Sequence, residues 1–281
     1  MFMYQPLFYF MAFLGQMLSI MSSSWLLVWL MMELSLLTIM PVMVNYGKYL
    51  TLSCEVTMKY FIIQSMSSMW IMLGGYMLWD LTTGPGVFML VFLIGLMFKL
   101  GLFPGHFWVI QVVSGLKKLP LIFILSILKL APLFLMVTLN ISVNIDLFSV
   151  MGVMSLVVGG LLGIIQSTVR GVLGSSSISH SGWMIITIMM DTFIPYFLAY
   201  VVTLTMFLLV WGKNNYLASM MMISFSGLPP FLLFYPKVLV FSMLVENSMW
   251  AIIVCLVMMS VVSLYFYLKS SYSLVLIRIL N

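Results

Sequence analysis

The chain has 281 residues, of which 64% are apolar, and its charged residues are 11 Lys or Arg and 6 Asp or Glu. Soluble domains carry about 25% charged residues, so 6% charge and a mean hydropathy of +1.24 exclude a water-soluble globular fold. The sequence has no phosphate-binding loop, dinucleotide motif or metal-ligand cluster, and neither cysteine belongs to a Cys-x-x-Cys pair. We therefore expect no cofactor and no metal in this chain.

Apolar runs fill most of the chain, separated by polar residues, glycine and proline. Most of these runs reach the roughly 17 to 25 residues that cross a bilayer as an α-helix. The sequence therefore predicts an all-α, polytopic membrane helical bundle of about ten transmembrane helices. In chain order, the predicted segments are Phe2–Ile20, Trp25–Val44, Val56–Trp79, Val87–Gly115, Leu119–Leu139, Leu147–Ser167, Val169–Met190, Phe193–Trp211, Leu217–Val245 and Trp250–Leu268.

The charges outside these segments, or at their edges, alternate in sign from one connection to the next. The basic residues precede odd-numbered segments or follow the last one, and they are Lys48, Lys59, Lys117, Lys118, Arg170, Lys213, Lys269 and Arg278. The charged connections on the other side carry Asp80, Asp146, Asp191 and Glu246. The positive-inside rule then places both termini on the basic side. Glu55 is the one acid there, and its i, i+4 spacing from Lys59 predicts a local ion pair.

Two segments, Val87–Gly115 and Leu217–Val245, are too long for simple spans, since each would extend about 43 Å as one helix. Pro104 interrupts the first, and Pro229-Pro230 interrupts the second. Proline removes a backbone donor and clashes with the preceding turn. Paired broken helices are also a sequence sign of a transporter's central site. We expect two discontinuous helices here, with an ordinary proline kink as the alternative.

Four charged residues lie inside the apolar segments: Glu33, Lys99, Lys129 and Lys237. A charge at bilayer depth costs several kcal/mol on insertion scales and usually marks an ion or proton path. Lys129 lies nine residues after Pro120, which is about 14 Å along a helix and too far for its ammonium to reach the membrane surface. A pair of Glu and Lys that opens and closes could load and release a proton, whereas a static pair would be structural.

Two histidines are weaker candidates for the same path. His106 follows the Pro104 interruption, and His180 lies in the serine-rich stretch Ser175–Ser181. Histidine titrates near neutral pH and hydrogen-bonds well to water. Capping or bridging of backbone groups freed by the interruptions is the structural alternative for both.

Several strings of the sequence resemble the subunit 2 family of mitochondrial NADH dehydrogenase, a membrane component of respiratory complex I. Their order and spacing match the family over nearly the whole chain. The strings are Trp29–Ser35, Glu55–Ser65, Lys99–Val109, Ser176–Met184 and Ser226–Phe231, the last followed by Pro236-Lys237.

The resemblance implies a single antiporter-like transmembrane domain over residues 1–281. It also implies that Glu33, the acid of a Trp-x-x-x-Glu motif, pairs with Lys99, the lysine before Leu-Phe-Pro. Lys129, before Ala-Pro, and Lys237, after Pro-Pro, would continue a polar axis.

We therefore expect a core membrane-arm subunit of NADH:ubiquinone oxidoreductase that carries a proton relay of Glu33, Lys99, Lys129 and Lys237 and catalyses no redox step itself. Expected partners are the other membrane-arm subunits, including neighbouring antiporter-like ones, and lipids such as cardiolipin, with no nucleic acid. The expected location is the mitochondrial inner membrane, with both termini in the matrix. A free-standing cation/proton antiporter and a structural spacer whose buried charges only pair are the alternatives.

Overall fold

A computed structural model describes residues 4–45, 50–79, 85–139 and 145–280, and all regular structure in these ranges is helical. Six helical stretches in them are long and apolar enough to cross a membrane. These are Trp25–Val44, Thr51–Leu78, Lys118–Leu139, Leu147–Ile165, Phe193–Val210 and Trp250–Leu276. The number of membrane crossings, about ten, stays a prediction. Lys48 and Asp80 lie outside the described residues, as do the side chains of Asp146 and Arg278.

The chain divides into two compact units, Met1–Thr138 and Leu139–Asn281. In chain order, the helices of the first unit are α1 (Gln5–Met21), α2 (Trp25–Asn45), α3 (Leu50–Trp79), α4 (Pro85–Leu100), α5 (Phe107–Gly115), α6 (Lys118–Leu125) and α7 (Leu130–Leu139). Helices α1 and α2 approach closely at Gly15, where an added Cβ would lie 2.9 Å from the carbonyl oxygen of Met31. Small residues allow such contacts between membrane helices, which lack the hydrophobic driving force present in water.

The second unit is built on a helix pair whose backbones nearly touch. Its helices are α8 (Ile145–Ile165), α9 (Val169–Met189), α10 (Phe193–Val210), α11 (Asn215–Ser224), α12 (Phe234–Glu246) and α13 (Trp250–Leu280). A Cβ at Gly159 of α8 would lie 2.6 Å from the amide nitrogen of Ser179, and one at Gly182 of α9 would lie 2.7 Å from the carbonyl oxygen of Gly152. Every residue of α9 from Gly171 to Ile188 is buried.

The polar residues of α9 fit this burial because their hydroxyl groups bond to their own helix. Ser175, Ser176, Ser177 and Ser179 each donate to the carbonyl oxygen three residues earlier, at 2.8 to 3.0 Å. Ser181 donates to the oxygen four residues earlier, at 2.6 Å. Serine can satisfy itself in this way inside a helix. These bonds within the helix lower the cost of burying so many hydroxyl groups.

Helical structure stops at Leu100 and resumes at Phe107. Gly101 has φ +72°, and its amide donates to the carbonyl of Phe98 while the amide of Leu102 donates to that of Met97. These two bonds form a Schellman motif, which ends helices at a left-handed residue that is usually glycine. Between α11 and α12, Gly227 likewise has φ +72°.

The predicted segment Leu119–Leu139 is found as a candidate span, but it contains an interruption that the sequence analysis did not predict. After α6, residues Ile127–Lys129 form a short 3-10 turn, and α7 then begins. Two local features explain the interruption. The hydroxyl of Ser126 bonds to the carbonyl oxygen of Ile122, and Pro132 has no amide proton for the first turn of α7.

Two helix ends also differ from the predicted segments. Helix α3 begins at Leu50 rather than Val56, and α13 continues to Leu280 rather than ending at Leu268. A charged residue limits only the apolar span and leaves the helix free to continue past it. The predicted local ion pair near the start of α3 is confirmed, with Lys59 Nζ 2.6 Å from Glu55 Oε1.

Candidate functional site

The first unit contains an ion pair between two of its apolar helices. Glu33 lies in the middle of α2, and Lys99 is the penultimate residue of α4. Lys99 Nζ is 3.5 Å from Glu33 Oε1, and the two side chains are 6% and 19% exposed. Opposite charges at this distance stabilise each other strongly where water is scarce. The pair is thus a charged contact that links the two helices at the end of α4.

The backbone around Lys99 is held by two side chains that bond to the last carbonyls of α4. Gln64 of α3 donates to the carbonyl oxygen of Lys99 at 3.3 Å. The indole of Trp108, on the far side of the interruption, donates to the carbonyl oxygen of Phe98 at 3.0 Å. The last carbonyls of a helix lack intrahelical partners and need such donors when they are buried. These contacts keep Lys99 at a fixed depth beside Glu33.

Lys129 lies at the end of the 3-10 turn and is buried, with 4% of the residue exposed. Its side chain and that of Lys99 both line a small cavity of about 10 Å³. That volume is about one water-sized sphere. Other polar groups on its wall belong to Gln16, Ser35, Tyr60 and Gln64. The cavity therefore places two lysines around a space with room and hydrogen-bonding partners for one water.

In the second unit, Lys237 reaches back across the interruption between α11 and α12. Its Nζ donates to the carbonyl oxygen of Ser226 at 2.7 Å and lies 5.1 Å from the ring centroid of Trp183. A Cβ added to Gly227 would lie 2.8 Å from Cδ of Lys237. Glycine at this position thus allows the left-handed backbone conformation and leaves space for the side chain of Lys237.

His180 is held between two tyrosines. Its Nδ1 lies 2.9 Å from the hydroxyl of Tyr196, and its Nε2 lies 3.2 Å from the hydroxyl of Tyr267. A neutral imidazole has one donor and one acceptor nitrogen, so one phenol accepts while the other donates. His180 and Lys237 also line one cavity of about 10 Å³, again close to the volume of one water.

His106 is buried at the start of α5, with 7% of the residue exposed. Its ring stacks near Phe103 and contacts Phe107, with centroid distances of 6.0 and 4.2 Å. These contacts place His106 among aromatic rings.

Five residues around the candidate site were not singled out from the sequence: Gln16, Gln64, Trp108, Tyr196 and Tyr267. A glutamine inside an apolar segment is itself an unusual signal, and it would have indicated Gln16 and Gln64. The two tyrosines gave no such signal, because aromatic residues are common throughout this chain. In the described ranges, no group of three or more His, Cys, Asp or Glu side chains is arranged to hold a metal ion.

Residues 22–217 match a protein family described as NADH:quinone oxidoreductase/Mrp antiporter, TM. The chain belongs to this family. Among similar members, NADH-ubiquinone oxidoreductase chain 2 of Albinaria caerulea is 35% identical over 267 residues, which cover 93% of this chain and 86% of the relative. The protein of the same name from Equus asinus is 31% identical over 289 residues, covering 93% of this chain and 83% of the relative.

Solved structures of other proteins share the fold. A chain of respiratory complex I from Thermus thermophilus aligns with a TM-score of 0.83 at 23% identity, covering 95% of this chain and 70% of the other. A chain of the Mrp complex from Dietzia sp. aligns with a TM-score of 0.83 at 14% identity, covering 91% and 57%. The all-helical, antiporter-like membrane fold predicted from the sequence is therefore confirmed.

Proposed function

We propose that this chain is a membrane-arm subunit of NADH:ubiquinone oxidoreductase, complex I, and contributes to proton translocation coupled to ubiquinone reduction. The names of the relatives support membership of the complex. The observation that carries the proton-translocating role is the ion pair of Glu33 and Lys99 at 3.5 Å between apolar helices. The redox chemistry belongs to other subunits, so this chain takes part in the enzyme reaction only within the complex.

In the first unit, opening and closing of the Glu33–Lys99 pair would change how firmly Lys99 holds its proton. A nearby opposite charge favours the charged form of a lysine, and burial without one favours the neutral form. A proton released by Lys99 could pass through a water in the adjoining cavity to Lys129, whose side chain lines the same space. The first unit would then transfer a proton between two lysines.

In the second unit, Lys237 and His180 line one cavity and would exchange a proton through it. The two tyrosines bonded to His180 extend that path, since a phenol can accept and donate at the same atom. His106 lines neither of these two cavities, and its part in the relay rests on its place beside the Pro104 interruption.

The proposal includes the membrane arrangement expected from the sequence. The chain would form a single antiporter-like domain with ten crossings, and α4–α5 and α11–α12 would each cross once as a discontinuous helix. Both termini would lie in the matrix, with the protein in the mitochondrial inner membrane. Its partners would be neighbouring antiporter-like subunits, other membrane-arm subunits and lipids including cardiolipin.

One specific observation favours a second candidate, a free-standing cation/proton antiporter: the fold is shared with a chain of the Mrp complex. Transport by the purified chain in liposomes, without other subunits, would support this candidate. A structural spacer, whose buried charges only pair, is the third reading. It predicts that the charges can be removed together without loss of pumping.

A double substitution separates a relay from a spacer. Lys99→Met alone leaves Glu33 without its partner, and removal of one member of a buried pair typically costs about 3–5 kcal/mol. Glu33→Gln combined with Lys99→Met removes both charges, so we expect the complex to assemble better than with Lys99→Met alone. Protons moved per electron pair should nevertheless stay low in the double variant. Normal pumping in that variant would refute the relay.

A further inference from the structure

The start of α7, directly after Lys129, lacks the hydrogen bonds of a continuous helix. The amide of Leu130 donates to the carbonyl oxygen of Ile127, as in a 3-10 turn. In an uninterrupted α-helix that oxygen would accept from Ala131, four residues on. The amide of Ala131 therefore needs another acceptor in a buried environment, where an unpaired donor costs about 1–3 kcal/mol.

That acceptor comes from a different helix, 115 residues away in sequence. Gln16 Oε1, on α1, accepts from the amide of Ala131 at 3.1 Å. The Nε2 of the same side chain donates to Ser35 Oγ at 2.7 Å, and Ser35 donates to the carbonyl oxygen of Met32 at 2.7 Å. Gln16 and Ser35 are each 1% exposed, so these bonds form without competition from solvent.

The amide group of Gln16 thus joins two places that carry the proposed relay. On one side is the turn of Lys129, two residues before Ala131. On the other is the part of α2 where Met32 and Ser35 flank Glu33. A carboxamide suits this place because it presents an acceptor and a donor from one planar group. An apolar side chain of the same length would offer neither.

We propose that Gln16 is a positioning residue for Lys129, holding the turn that carries this lysine in a fixed place relative to the Glu33 segment of α2. The inference rests on the proposed proton-translocating function. Without Gln16, the buried amide of Ala131 loses its acceptor. The turn that carries Lys129 is then no longer held against α2, and the Lys129 side chain shifts within the cavity that it shares with Lys99.

The test uses the intact complex reconstituted in liposomes, with protons moved per electron pair measured over a range of pH. Gln16→Met keeps the length of the side chain and removes both hydrogen bonds. Gln16→Glu retains an acceptor for Ala131, and either a protonated or an ionised carboxyl can also bond to Ser35. The control is Gln5→Met, which changes another buried glutamine on the same helix, about three turns away.

We expect Gln16→Met to lower pumping towards the level of Lys129→Met and to shift the pH at which pumping is half-maximal, because the surroundings of a buried lysine set its proton affinity. Gln16→Glu should restore pumping, and Gln5→Met should leave both its level and its pH profile unchanged. If Gln16→Met does not assemble, Ser35→Ala takes its place, since it removes only one of the two bonds, and the same shift is expected.

Two results have different meanings. If Lys129→Met is impaired but Gln16→Met pumps normally with an unaltered pH profile, the positioning role is overturned. The same result in Ser35→Ala, when that variant is used instead, has the same meaning. Normal pumping in Lys129→Met itself overturns the proposed function of the lysine and leaves the hydrogen bonds of Gln16 as a structural brace.

Discussion

The substitution Gly227→Ala should displace the side chain of Lys237 while leaving the lysine itself unmutated. Gly227 lies in the interruption before α12 with φ +72°, and a Cβ there would lie 2.8 Å from Cδ and 3.0 Å from Nζ of Lys237. These atoms form the flexible end of a side chain, so the lysine moves and the backbone stays. The ammonium group then loses its 2.7 Å hydrogen bond to the carbonyl oxygen of Ser226.

The expected loss of stability caused by Gly227→Ala has two parts. A left-handed conformation costs an L-residue with a Cβ roughly 1–2 kcal/mol. Loss of a hydrogen bond from a charged donor costs about 1.5–3 kcal/mol. In a background of Lys237→Met the second part is absent, so Gly227→Ala should cost less there, by about 1.5–3 kcal/mol.

The assay is the amount of assembled complex in the membrane together with protons moved per electron pair. A change of about 1–2 kcal/mol is enough to alter protein abundance several-fold. Gly86→Ala is the matched control, because among the described residues, apart from its chain neighbours and the backbone of its own helix, no atom lies within 4 Å of a Cβ added there. We expect Gly227→Ala to reduce both quantities and Gly86→Ala to reduce neither. Equal losses from Gly227→Ala in the wild-type and Lys237→Met backgrounds would refute the contact with the lysine.

Two further predictions concern single side chains. Lys129→Arg should pump as poorly as Lys129→Met in an assembled complex, because a guanidinium stays charged and cannot release a proton; normal pumping in the arginine variant would favour the spacer. Tyr196→Phe and Tyr267→Phe each leave one ring nitrogen of His180 without its phenol, so each should slow pumping while assembly is retained. Unchanged rates in both would assign the tyrosines a packing role.

A break in a helix was predictable where its cause lies in the neighbouring sequence. The glycine and proline residues between Lys99 and His106 indicate where α4 stops, because each acts on the backbone of its own turn. The break before Lys129 was not predicted. Pro132 alone is compatible with a kink. The acceptor for the amide of Ala131, which the break leaves without its helical partner, comes from Gln16, 115 residues earlier in the sequence.

The candidate charges were predictable for a different reason. A Glu or Lys in an apolar segment is conspicuous by composition alone, and the distance between Glu33 and Lys99 agrees with the pairing that the family resemblance implies. The side chains that hydrogen-bond around the charged residues and His180 are not conspicuous in the sequence. Trp108 and Tyr267 belong to residue types that also fill the core, and their hydrogen bonds depend on packing that no sequence pattern specifies.

The near contact of α8 and α9 determines which motions are open to the helix that carries His180. At Gly159 and Gly182 the backbones are too close for any side chain. A slide of α9 by one turn, about 5.4 Å, would bring Ile186, four residues after Gly182, to a place where only hydrogen fits. The packing therefore opposes a one-turn slide of α9 past α8, whereas rotation of the His180 imidazole and of the hydroxyl groups around it needs no such shift of the helix.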